Sequence, residues 1–77
     1  VDALLAHRRE REDQIAACLG AGIGLIPEMV RRMYADVDVK LHPAAARSVL
    51  AHLVHMVATG RAACDGSPGA DSVYRAV

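Results

Sequence analysis

The side chains in this chain that could do chemistry are four histidines, two cysteines, a few serines and a balanced set of charges. His52 and His55 stand three residues apart, so on a helix their imidazoles share a face and could share a metal. Further ligands would have to come from His42, His7, Cys64 or an acid, and no HExxH or HxHxDH spacing supplies them. The histidines therefore read as surface or half-buried groups without a metal. Ser48, Ser67, Ser72 and the two cysteines have no base placed beside them by any motif, and no carboxylate pair lies in an apolar stretch that would raise a pKa for acid–base work. Gly20, Gly22 and Gly24 lack the Lys-Ser/Thr of a phosphate loop and complete no GxGxxG, so they read as a helix stop and a turn. With 77 residues there is little room for an enclosed substrate pocket of ~300 Å³. No catalytic residue, no metal ligand and no cofactor is assigned to this chain.

The elements that would carry these residues are mostly helical. A first helix is expected over residues 2–19, with Asp2 as N-cap, apolar positions at Leu4, Leu5, Ile15 and Leu19, and a charged middle from His7 to Gln14. Arg8–Glu12 and Arg9–Asp13 are opposite-charge pairs four residues apart. A second helix is expected over 26–35. Pro27 sits in its first turn, and Ile26, Met29, Val30 and Met33 form one apolar stripe. Residues 36–41 read as a polar linker. His42-Pro43 opens a third helix over 43–59, ended by Gly60, with Ala46, Val49, Leu50, Leu53, Met56 and Val57 on its buried face. Two short strands, 61–65 and 72–76, flank the turn-rich Gly66-Ser67-Pro68-Gly69 and form a hairpin, to which a strand near 23–25 could add. Helix, helix, helix, hairpin is the order of a winged helix-turn-helix, three helices plus a wing.

Composition narrows the function classes. The hydrophobic fraction of 53% supports one compact core, and aromatics at 3% leave it to Ala, Val, Leu, Ile and Met. Nine Lys plus Arg against nine Asp plus Glu give zero net charge, whereas a free-standing nucleic-acid binder is ordinarily basic. Cys18 and Cys64 form no CxxC and read as two buried, reduced thiols of a cytoplasmic protein, with one disulfide between them as the alternative. No apolar run approaches the ~20 residues that span a bilayer, and the charged N-terminal stretch is no signal peptide. The chain opens on Val rather than Met, which reads as a fragment of a longer protein. On a winged helix the third helix and the wing would meet nucleic acid. The residues open to that contact are Arg47, His52, Arg61 and Arg75, with Asp65 and Asp71 offsetting the wing, so binding is expected to be weak or absent.

Three stretches together resemble a known family. The first helix carries His7-Arg8-Arg9-Glu10-Arg11-Glu12-Asp13-Gln14-Ile15. The second carries Glu28-Met29-Val30-Arg31-Arg32-Met33-Tyr34. The third region carries Leu41-His42-Pro43-Ala44-Ala45 and Ser48-Val49-Leu50-Ala51-His52-Leu53, then Gly60-Arg61. They are similar to the C-terminal winged-helix domain appended to a subgroup of metallo-β-lactamase-fold hydrolases, some of which are lactamase-like endoribonucleases acting on single-stranded RNA. The resemblance implies a zinc-dependent catalytic domain N-terminal to Val1, which would hold the metal ligands. It implies for this domain an accessory role: packing on the catalytic domain of the same parent chain, shaping substrate access or a homodimer contact. His7, Arg8, Arg11 and Glu12 match the family pattern on the helix that would follow that domain, and they are the expected interdomain contacts. The sequence departs from the pattern at Val54-His55-Met56-Val57-Ala58-Thr59, where the family carries charges. A free-standing winged-helix DNA-binding transcription regulator is the alternative, disfavoured by the zero net charge.

Overall fold

The computed structural model describes residues 2–77, with side chains from residue 6 onward. Helix α1 spans Asp2–Gly20, α2 spans Ile26–Met33 and α3 spans His42–Ala58; strands β1, Ala62–Cys64, and β2, Tyr74–Ala76, follow. The strands pair antiparallel with Ala62 opposite Ala76, Ala63 opposite Arg75 and Cys64 opposite Tyr74. The fold is the expected three-helix winged helix, with α2 two residues shorter at its C-terminus and shorter strands than the sequence suggested.

Two glycines set the helix ends. Gly22 and Gly60 take positive φ, 82° and 77°, a conformation that costs glycine little. After α3, Arg61 N–H bonds Met56 O at 2.8 Å and Gly60 N–H bonds Val57 O at 3.2 Å. After α1, Ile23 N–H bonds Cys18 O at 2.9 Å and Gly22 N–H bonds Leu19 O at 3.0 Å. Both are Schellman motifs, which satisfy the last carbonyls and turn the chain sharply back.

The core gathers Ile15, Cys18 and Leu19 from α1, Ile26, Met29 and Val30 from α2, Val49, Leu53 and Met56 from α3, and Ala62 and Tyr74 from the wing. These are the stripes read from the sequence, plus one aromatic. Tyr74 is buried, and its hydroxyl donates to Gly69 O at 2.7 Å, which satisfies the polar end inside the wing loop. Cys18 is buried and Cys64 half-buried, both as free thiols.

Two connections differ from expectation. Residues 23–25 form no strand. Gly24 O accepts a single bond from Tyr74 N–H at 2.8 Å, and Leu25 O is then taken by Met29 N–H at 3.1 Å as α2 begins. The start of α2 ends the extended run after one pairing. Within 36–41, Val39–Leu41 coil into a 3-10 turn, because Asp38 Oδ1 accepts Lys40 N–H at 2.9 Å and caps it. His42 ties the end of α2 and the segment before this turn to the start of α3: its Nε2 lies 3.2 Å from Tyr34 O and 3.1 Å from Val37 O. Carbonyls only accept, so Nε2 carries the proton.

Candidate functional site

The most concentrated polar site lies where α1, α3 and the wing meet. Glu12 falls three residues before Ile15 and seven before Leu19, on the row that faces the core, and only 2% of it is exposed. Its Oε1 accepts from Arg61 Nη1 at 2.9 Å. Its Oε2 faces His55 Nδ1 at 3.0 Å, His52 Nδ1 at 3.4 Å and Arg8 Nε at 3.8 Å. An ionised carboxylate only accepts, so both imidazoles present Nδ1–H to it. The Schellman turn at Gly60 brings Arg61 back over α1, where its Nη2 also reaches Asp13 at 3.2 Å.

This arrangement is a charge-paired clamp. Every oxygen of Glu12 is engaged, and no buried side-chain polar atom among the described residues lacks a partner. His52 and His55 do converge on an acid, as their spacing allowed. Arg61 holds the far oxygen, however, and among the described residues no group of three His, Cys, Asp or Glu side chains is arranged to hold a metal ion.

The structure divides the expected interdomain contacts. His7 and Arg8 are exposed on α1. Arg11 is half-buried, donating to Gln14 Oε1 at 3.0 Å with its guanidinium 5.1 Å from the centre of the Tyr34 ring; it ties α1 to the end of α2 by a cation–π contact. Glu12 faces into its own domain, where His52 and His55 of α3 and Arg61 at the start of the wing surround it. Ala6, His7, Arg8, Arg9 and Glu10 are exposed in succession, so more than a full turn of α1 projects from the body with no face covered.

The residues considered for nucleic-acid contact are also separated. Arg61 and His52 belong to the Glu12 clamp. Arg75 pairs with Asp65 at 3.3 Å on the wing. Arg47 is exposed on α3 and is the one arginine of the three without an acidic partner among the described residues. Ser48 is exposed on α3, and Ser67 and Ser72 serve the wing loop: Ser72 Oγ accepts from Gly69 N–H at 3.0 Å and donates to Ser67 O at 3.3 Å.

The clamp is the feature sequence reasoning missed. Of Glu12's partners, Arg8 is four residues away and was legible, but His52, His55 and Arg61 lie 40 to 49 residues away. For those three the one local signal was an acid standing in the apolar row of α1.

Residues 26–71 match the family model described as the beta-lactamase associated winged helix domain, from the start of α2 to the wing loop. No curated protein and no solved structure matches the chain. The matched stretch holds the helix-turn-helix and most of the wing, and it is well over half of the 77 residues. The chain belongs to the family of beta-lactamase associated winged helix domains.

Proposed function

We propose that this domain is the accessory module of a zinc-dependent, metallo-β-lactamase-fold hydrolase in the same parent chain, and that it packs on the catalytic domain through the exposed stretch of α1 at residues 6–10. The observation that carries the reading is the family match over residues 26–71. The projection of α1 supports it, because a helix left uncovered over more than a turn gains nothing from its own domain and is available to another. In this reading His7 and Arg8 make the interdomain contact, Arg8 offering a guanidinium that is 52% exposed even while it leans toward Glu12. Arginine forms two parallel hydrogen bonds with a carboxylate, and interfaces between domains are commonly this polar. Zinc and its ligands lie in the catalytic domain, in a cytoplasmic protein, and the winged helix holds one wall of the substrate approach or a dimer contact.

Hydrogen exchange on the parent protein tests the proposal. Amides of residues 6–11 should exchange more slowly there than in the 77-residue domain, and Arg8→Ala in the parent should speed them again. Identical exchange in parent and isolated domain would mean that α1 is merely solvated. An upstream reading frame without HxHxDH would remove the hydrolase.

A further inference from the structure

A second surface lies away from the Glu12 clamp, between the first turns of α2 and α3. There a groove of about 460 Å³ is lined by Pro27, Val39, Pro43 and Ala46, with Arg31 and His42 among its walls. Its apolar character is unusual for this molecule. Six large apolar residues are exposed among the described side chains, and the most exposed but one of them, Val39 at 74%, lines this groove, with Leu41 at 57% two residues on in the same 3-10 turn. Val39, on a turn that Asp38 caps, is too exposed to add to the core.

Of the charged side chains near the groove, Arg31 lines it and Glu28, in the first turn of α2, does not. Arg31 makes no ion pair among the described residues, and no acid lines the groove. Asp38, the nearest acid on the turn, is directed to the Lys40 N–H. From residue 39 to residue 64 the chain carries Lys40, Arg47 and Arg61 and no Asp or Glu. His42 has Nε2 committed to two carbonyls, while Nδ1 makes no hydrogen bond.

We infer that this groove docks a peptide segment of a protein partner that presents apolar side chains beside a carboxylate, the apolar groups lying against Val39, Pro27 and Pro43 and the carboxylate meeting Arg31. The complementarity decides the occupant. A second copy of this chain offers the same positive, apolar face and would repel it. Nucleic acid would meet Arg31 but leave the valine and proline surface without a partner. The inference stands apart from the docking of α1 and holds whatever lies upstream of this domain.

The test titrates a blocked hexapeptide alternating leucine and aspartate into the isotope-labelled 77-residue domain, with a leucine–asparagine peptide of equal length as control. Backbone amide shifts should change at Arg31, Val39 and Ala46 and saturate, and the asparagine peptide should bind about 5-fold more weakly, the size expected of one charge-assisted contact at a partly exposed site. Arg31→Gln should remove that preference without changing binding of the asparagine peptide. Val39→Ser, at a site too exposed to affect folding, should weaken both peptides. Equal binding of the two peptides, shift changes confined to other faces, or an unchanged preference in Arg31→Gln would overturn the inference. So would concentration-dependent shifts at these residues without peptide, which would give the groove to a second copy.

Discussion

Glu12 shows how one side chain can organise a small domain. A carboxylate that is 2% exposed is tolerated because Arg61, His55, His52 and Arg8 surround it. These partners are themselves partly exposed, so they can return to water if the acid is removed. Glu12→Ala should therefore cost about 1–3 kcal/mol, less than breaking a fully buried pair. Glu12→Leu fills the same row of α1 with apolar atoms and should cost less than the alanine variant, since a buried ion pair often contributes little over a hydrophobic replacement. Urea midpoints of the three proteins check both, and a leucine variant as unstable as the alanine one would show that the charges themselves hold the wing to α1. Two buried acids bear on pH. Burial pushes the Tyr74 phenol up from its ordinary 10.0, against the pull of Ser72 and the Gly69 backbone, and burial pushes the Cys18 thiol up from 9.0, against Arg32. A raised pKa means the folded state favours the neutral form, so this stability is complete below those ordinary values and is lost as pH rises through the folded-state ones. Urea midpoints followed into the alkaline range should fall above pH 9–10. Tyr74→Phe should begin about 1 kcal/mol lower, having lost the bond to Gly69 O, and then fall less steeply.

At the scale of elements, glycine acts in two different ways. Gly60 is needed for its left-handed backbone, and Gly60→Ala should cost about 1 kcal/mol. Gly24 has no such φ; it is needed because the wing lies directly against it. A Cβ there would run into Tyr74 O and stand 3.1 Å from Val73 Cγ1. Both obstacles belong to β2 and its approach, so Gly24→Ala must push the wing away and break the Tyr74–Gly24 bond, at a cost of at least ~2 kcal/mol. Thermal unfolding of the pair should rank Gly24→Ala as clearly the more damaging. The sequence disclosed the role of Gly60, because a glycine after an apolar stripe is a local stop signal. It could not disclose that of Gly24, whose neighbour is 50 residues away. The same division runs through the rest of the fold. The stripes of α2 and α3, and the prolines at their starts, are local patterns and were legible. The 3-10 turn depended on one Asp38 side chain, and the missing third strand on where α2 claims Leu25 O. Of the candidate contacts, His7 and Arg8 are where a charged helix face should put them, whereas Glu12, Arg11 and Arg61 are held by partners that only the tertiary fold supplies.

For the molecule as a whole, zero net charge says less than where the charges are committed. A winged helix meets DNA with its third helix and wing, and each phosphate contact needs an available cation. Arg61 is held by Glu12 and Asp13 from α1, and Arg75 by Asp65 within the wing. The outward face of α3 exposes Ala44, Ala51, Val54 and Ala58 beside Arg47 and Ser48, so it offers methyl groups where a base-reading helix would place donors and acceptors. Arg47 and Lys40 remain, about two phosphate contacts. The domain should then bind duplex DNA or single-stranded RNA with a Kd of ~10⁻⁵ M or weaker at physiological salt, with a log–log salt slope no steeper than about −2. Arg47→Ala should flatten that slope by about 1. A nanomolar Kd with a slope near −4 would require roughly four released counterions. The third helix and wing could supply those only by opening the Arg61–Glu12 and Arg75–Asp65 pairs. In that case Glu12→Gln, which loosens the hold on Arg61, would strengthen nucleic-acid binding while weakening the fold, and the third helix and wing would be a nucleic-acid surface held in reserve by the clamp.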